Sequence, residues 1–377
     1  MQITKEECGM NKMGFGFLRL PRTNPDDEKS VDMGKVCALV DRFMALGGNY
    51  FDTAYTYLGG ASETSLREAL VKRYPRNAFR IADKLPTWKI REAGDAERCF
   101  QVQLERCGVD FFDVFLLHGL NRENYEICKK FDLFAYLSQL KREGRARKIG
   151  FSYHDKPEFL DELLTAHPEV DCVLLQINYL DWESKFLESR RLYETAARHG
   201  KRVLVMEPVK GGTLTKLPEH VAARLSHACP GRSMPGWAVR FAQGLEHVDV
   251  VLSGMNTIEQ IEDNLQQVEA LPASELELLR WAADEIRSAI AIGCTGCAYC
   301  EPGCPQNIAI PRYFAMYNEY ARYPKEAWKM EPLYQEIAQT RGKASDCIGC
   351  GACEGSCPQR LEIVETLKKV AGAFEKA

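Results

Sequence analysis

From residue 14 to about 270, short apolar runs alternate with stretches whose apolar residues recur every three or four positions. The short runs are Phe15–Leu20, Asn49–Thr53, Phe79–Ala82, Asp113–Leu117, Lys148–Ser152, Cys172–Ile177, Arg202–Met206 and Val248–Leu252. Each is brief and apolar or β-branched, as buried parallel strands are. The stretches between them read as helices. In one, Val36, Leu39, Val40, Phe43 and Leu46 share a face that stops at Gly47-Gly48. A second starts with Asp155 as N-cap and Pro157 in its first turn, and a third opens with the capping box Thr257-x-x-Gln260. Eight strands interleaved with helices suit a (β/α)8 barrel better than an open sheet. A doubly wound sheet shares the pattern, but no G-x-G-x-x-G follows the first strand.

Past the last strand, Ser274-x-x-Glu277 caps a long helix with Leu276, Leu279, Ala283, Ile286 and Ile290 on one face. The organisation expected is a barrel over 1–272, a covering helix and linker over 273–292, and a small domain over 293–377. Cysteine defines that small domain, which holds eight of the fifteen in the chain. Cys294-x2-Cys297-x2-Cys300-x3-Cys304-Pro305 is followed by Cys347-x2-Cys350-x2-Cys353-x3-Cys357-Pro358. This is the spacing by which bacterial ferredoxins hold a [4Fe–4S] cluster, and the fourth cysteine of each run normally ligates the other cluster. One cluster is therefore expected on Cys294, Cys297, Cys300 and Cys357, and the other on Cys347, Cys350, Cys353 and Cys304. Zinc is served poorly by a third cysteine two residues on, and disulfides need an oxidising compartment. The 42 residues between Cys304 and Cys347 carry aromatic-rich helical patterns around Tyr313–Tyr320 and Trp328–Ala338. A mainly α-helical ferredoxin-type domain fits them better than a small β-hairpin one.

Bulk composition narrows the setting. A formal net charge of −4 argues against a nucleic-acid partner, and no run of eighteen apolar residues exists to span a membrane. Met1 to Cys8 contains no apolar signal-peptide region. A cytoplasmic protein is expected, with Cys8, Cys37, Cys99, Cys107, Cys128, Cys172 and Cys229 as reduced thiols. The basic run Lys141–Lys148 reads as a solvated face.

Active sites of such barrels lie at the C-terminal ends of the strands. The polar residues there are Asp52 and Thr53, Asp83 and Lys84, His118, Ser152, Gln176 and Asn178, and Glu207, with Tyr57 five residues after Asp52. A cation ending an apolar strand is costly unless paired, and Asp52 is the natural partner of Lys84. A lysine beside a phenol favours phenolate and makes proton donation by Tyr57 feasible near neutrality.

Read in order, Gly48-Asn-Tyr-Phe-Asp52-Thr-Ala-Tyr-Thr-Tyr57, Lys84, Leu116-Leu-His118, Gly150-Phe-Ser152, Gln176-Ile-Asn178-Tyr179 and Ser253-Gly-Met…Glu262-Asp263-Asn264 resemble the aldo/keto reductases. That family is a (β/α)8 barrel that reduces carbonyls with NAD(P)H, and the whole chain looks like its subgroup with an appended two-cluster domain. The resemblance implies Tyr57 as general acid, Lys84 as the group lowering its pKa, Asp52 holding Lys84, and His118 orienting the carbonyl oxygen. It implies Ser152, Tyr153 in place of the usual asparagine, and Gln176 at the nicotinamide carboxamide. Met206 would face the nicotinamide ring, Lys210 and Gly211 would lie near the pyrophosphate, and Gly254 and Asn264 near the adenosine end. Met206 stands where many members carry an aromatic ring. Gly254, Met255 and Gln260 replace the usual 2′-phosphate grip, so NADPH is less favoured. The loops around Trp88, Leu120–Tyr125 and Trp182 offer an aromatic lining for a carbonyl or alcohol substrate.

Nicotinamide delivers two electrons as hydride, whereas each [4Fe–4S] cluster passes one. The reading that follows is an oxidoreductase coupling carbonyl/alcohol chemistry to electron transfer through the clusters. The alternatives are a protein fed by a ferredoxin or other redox partner, with flavin in the barrel, and a redox-sensing binding protein.

Overall fold

The structure, a computed structural model, describes residues 12–24, 26–184, 187–266, 270–322 and 330–375. Eight strands form: β1 (Met13–Gly16), β2 (Tyr50–Asp52), β3 (Arg80–Pro86), β4 (Phe112–Leu120), β5 (Ala146–Tyr153), β6 (Cys172–Gln176), β7 (Arg202–Met206) and β8 (Val248–Ser253). They pair in parallel in chain order, and β8 returns to β1, so the sheet closes into a barrel. That closure rules out the doubly wound sheet. All eight expected strands are present, though β1 starts two residues earlier than expected and β3 runs on to Pro86.

Period-two alternation sorts the strand residues. Tyr50, Ala82, Val114, Leu116, Cys172, Leu174, Leu204, Val250 and Leu252 fill the lumen as one apolar cluster. Their neighbours face the helices: the Phe51 ring packs with Phe15 and with Phe43 of the helix Met33–Ala45. Asp32 caps that helix by accepting from the Lys35 N–H, and Gly47, at φ 84°, takes the chain out of it.

Two helix starts and one capping box differ from expectation. Lys156, not Asp155, is the N-cap of the helix Pro157–Ala166, because the Asp155 carboxylate instead accepts from the Arg122 and Lys156 backbone N–H groups. Thr257 caps as expected, but Gln260 reaches back to the N–H of Asn256. The helix Ala273–Ala289 begins one residue before Ser274. The basic run entering β5 is not merely solvated: Lys141 pairs with Asp171, Arg145 with Glu97, and Arg147 with Asp113.

The chain divides into two compact units. The first holds the barrel: residues up to Glu183, Glu188–Pro208 and Pro235–Pro272. The second takes Ser184–Leu187, Val209–Met234 and everything from Ala273 onward. It is helical, with Ile310–Arg322, Met330–Thr340 and Ile363–Phe374 around a core of Tyr313, Phe314, Tyr334, Ile337, Leu367, Val370 and Phe374. The ring of Tyr334 stacks between Tyr313 (4.8 Å) and Phe374 (5.5 Å). Trp328, expected in the second of these helices, lies outside the described residues. Among the described residues no helix is long and apolar enough to cross a membrane.

Candidate active site and cluster centres

The lumen changes character at the C-terminal ends of the strands. Two residues past Tyr50, Ala82, Leu116, Leu174 and Leu204, on the same inward face, stand Asp52, Lys84, His118, Gln176 and Met206. Lys84 is buried, and its Nζ donates to Asp52 Oδ1 at 2.6 Å and to the Thr53 carbonyl at 2.8 Å. The same Nζ lies 4.7 Å from the centre of the Tyr57 ring. Tyr57 meets His118 edge-on, with ring centres 5.7 Å apart, and Trp88 approaches His118 at 5.0 Å. Residues drawn from three strands and a loop thus form one cluster.

Its electrostatics follow from burial. Desolvation pushes the Asp52 carboxyl up, and the charge and hydrogen bond of Lys84 pull it back. Desolvation, helped by Lys84, depresses His118 well below its usual value, so its imidazole is neutral. Such an arrangement offers a phenol beside a fixed cation and a neutral imidazole donor, which suits protonation of a carbonyl oxygen.

The remaining expected contacts are spread around the barrel rim. Ser152 Oγ accepts from the Gly119 N–H at 2.7 Å. Gln176 and Asn178 both donate to Asp181 Oδ2, which fixes their amides. Asn264 Nδ2 donates to Ser253 Oγ at 3.1 Å. A Cβ on Gly254 would lie 3.2 Å from Arg19, a cation missed in the sequence that pairs with Glu207 at 3.8 Å. Tyr153 departs from expectation: it points into the helix layer, where its ring meets Phe159 and its Oη donates to the Lys156 carbonyl. Its position, one residue beyond inward-facing Ser152, already carried that signal.

Lys210 is put near the pyrophosphate by the resemblance. It is buried in the second unit and its Nζ donates to Gln359 Oε1 at 2.9 Å. Gly211 follows with φ 61°, and a Cβ there would lie 2.3 Å from the Thr295 carbonyl oxygen.

Behind β3 lies a group that the sequence did not single out. Asp83 faces outward, and its Oδ1 accepts from the Lys84 N–H at 2.7 Å, while Gln103 Nε2 donates to the Lys84 carbonyl. Asp83, Glu63 and Cys107 are all buried, with ligand atoms mutually within 4.8 Å. Burial, then the charge of Glu63, raises Asp83 well above the carboxylate range, and Arg106 donates to Glu63 Oε2 at 2.9 Å. Burial likewise pushes the Cys107 thiol well up. Burial raises Glu63 as well, so one proton shared by the two carboxyls accounts for the pair better than a cation does.

In the second unit, one small cavity is lined by Cys294, Cys297, Cys300 and Cys357, and another by Cys304, Cys347, Cys350 and Cys353. The fourth cysteine of each run has crossed to the other set. A zinc ion, with Zn–S near 2.3 Å, draws its sulfurs to within about 3.8 Å of one another. No three of these thiols lie mutually within 4.8 Å among the described residues, so each set is spread for something larger than one ion. The other lining residues are mostly apolar, including Ile310, which faces both cavities. The donor sets fit two four-iron clusters.

Comparisons with known proteins agree with this architecture. The aldo/keto reductase family model matches residues 12–283, and a 4Fe-4S dicluster domain model matches residues 293–361. L-galactose dehydrogenase of Arabidopsis thaliana is 28% identical over 252 residues, covering 62% of this chain and 78% of that protein. The uncharacterised oxidoreductase YqkF of Bacillus subtilis is 24% identical over 307 residues, covering 74% and 93%. Among solved structures, an aldo-keto reductase of Bacillus halodurans in its holo form aligns with a TM-score of 0.59 at 23% identity, covering 72% of this chain and 91% of that one. One from Klebsiella pneumoniae in complex with NADPH aligns at 0.56 and 19% identity, covering 72% and 90%.

Proposed function

We propose that this chain, which belongs to the aldo/keto reductase family and carries a 4Fe-4S dicluster domain, interconverts a small carbonyl compound and its alcohol in the barrel and passes the electrons through its clusters. The observation that carries the reading is the Lys84 ammonium, clamped by Asp52 and set 4.7 Å from the Tyr57 ring beside neutral His118. In the reducing direction Tyr57 Oη gives its proton to the carbonyl oxygen. The ammonium of Lys84 stabilises the negative charge left on the phenol, and Asp52 keeps that ammonium in place. His118 lends a neutral N–H to the same oxygen, orienting it without competing as an acid. Ser152 and Gln176 hold a nicotinamide when one is bound, and that cofactor supplies hydride. The two cysteine sets would hold the clusters, each supplying one-electron transfer, and a bound flavin would be needed to split the hydride's electron pair between them and release its proton.

Replacing Tyr57 with Phe is expected to lower carbonyl turnover by about 10²- to 10⁴-fold with iron content unchanged. Turnover at the parental rate would remove Tyr57 as the acid. Coupling is tested by anaerobic titration with NADH and then NADPH, following cluster absorbance and electron spin resonance, with bound flavin assayed alongside. Reduction of the clusters by either nucleotide is expected.

A second reading rests on two observations about the nicotinamide contacts. Lys210 is bonded to Gln359, and the Gln260 side chain is used on the Asn256 N–H. If dithionite reduces the clusters and neither nucleotide does, a ferredoxin-fed protein with a flavin in the barrel takes precedence.

A further inference from the structure

We propose that Lys210 sets the two clusters apart in potential, by stabilising the reduced state of the one held by Cys294, Cys297, Cys300 and Cys357. The inference rests on each cysteine set holding a cluster. Lys210 lies 5% exposed and donates to Gln359, itself 6% exposed and two residues past the ligand Cys357. Gln359 and Thr295 both line the cavity of this cysteine set. The next residue, Gly211, abuts the Thr295 carbonyl between ligands Cys294 and Cys297, which leaves no room for a side chain. Lys210 adopts φ 48° and Gly212 φ 98°, so three consecutive residues, with Gly211 at φ 61°, hold left-handed backbone to bring the loop here. For a lysine that conformation carries a cost, retained because the surrounding packing fixes it.

The second cluster site differs. Its cavity is lined by Cys350, which is exposed, and by Ile348, which is 64% exposed. Lys368, next to the lining residue Leu367, has a side chain 67% exposed and already paired with Glu365. Each cluster takes up one electron with no bond made or broken, and the electron adds one negative charge to an already anionic centre. A buried cation beside that centre favours the added charge far more than an exposed one, which water and salt screen. The Lys210 cluster is therefore the more easily reduced, and the resting place of the first electron.

The test is a dithionite potentiometric titration of the full-length, iron-loaded protein, followed by electron spin resonance without substrate or nucleotide. Two distinguishable couples are expected. Lys210→Gln should lower the reduction equilibrium constant of the higher-potential couple by about tenfold or more, which is about 59 mV per tenfold for one electron. Lys210→Arg should keep it within about threefold, and Lys368→Gln should move the lower couple by less than that. Equal shifts of both couples in Lys210→Gln, or no shift, would overturn the assignment. If Lys210→Gln loses iron, the parental protein decides: raising the salt should shift the lower couple and leave the higher one in place, and the reverse pattern overturns the proposal. Iron content of the parental protein reports separately on whether both clusters exist.

Discussion

The barrel and the cluster unit solve opposite assembly problems. In the barrel, Asp52, Tyr57, Lys84 and His118 are separated by up to 66 residues and meet because closed strand register puts their positions on one inward rim. The charges there satisfy one another: Lys84 holds Asp52 directly and is gripped at both its backbone N–H and C=O from behind. In the cluster unit the ligands come in short runs, and what they surround is space. Burial pushes Cys294 up to about 11 and raises Cys300 further, so these thiols are held protonated until iron takes the proton's place. The contrast teaches that one site is complete as protein while the other is completed by its metal.

Stripping the iron is the most forceful way to probe that contrast. Anaerobic chelation is expected to unfold most of the helical cluster unit while the barrel retains its cooperative melt, read by circular dichroism and protease protection. Metal binding and folding are one free energy in such small metal-built cores. Protection of Met330–Thr340 and Ile363–Phe374 unchanged by chelation would break the comparison.

Next in size is the buried pair. Lys84→Met leaves the Asp52 carboxyl buried in the lumen without the cation that offsets its desolvation, for a loss of about 3–5 kcal/mol in barrel stability. Adding Asp52→Asn should recover most of that loss while activity stays absent, as a double-mutant denaturation cycle would show. A double variant as unstable as the single one would mean that the pair is not the unit of stability.

A smaller effect sharpens the view from behind β3. Because burial and the charge of Glu63 both favour the neutral form of Asp83, Asp83→Asn is expected to cost under about 1 kcal/mol, whereas Glu63→Gln removes the counter-charge of Arg106 and costs about 1–3 kcal/mol. Urea titrations giving the opposite order would place the proton on Glu63.

The least effect is expected at Glu97, whose hydrogen bond to Arg145 is the chief cause lowering its pKa from 4.5 to about 2. Its folded pKa is depressed, so its contribution is complete above pH 4.5 and fades as pH falls toward 2. Glu97→Gln should therefore flatten the acid limb of the stability profile within that window, and only slightly, because the pair is partly exposed.

What was legible from residues alone has a common physical basis. Strand and helix periodicity, and the spacing of cysteines around a cluster, are local quantities written along the chain. They announced the eight strands, the helical second domain and the exchange of fourth cysteines. Asp52, Lys84 and His118 were findable because a charged or polar residue ending an apolar strand is costly without a purpose, whereas Tyr57 drew its role from the resemblance. Where local rules competed, the sequence was a poorer guide. Asp155 was an equally good cap by type, but its carboxylate was drawn to two other N–H groups. Facing was the harder matter: Tyr153 and Asp83 sit beside inward residues and point outward, as alternation implies once the register of the closed sheet shows which neighbours face in. Lys210 is the clearest case. It was placed near a pyrophosphate by resemblance, and nothing local marks Gln359, 149 positions away, as its partner. The chain by itself determined which elements form and which metal its thiols suit. The tertiary structure decided partners such as Gln359 for Lys210 and Arg106 for Glu63, because electrostatic partners are set by distance in space rather than along the sequence.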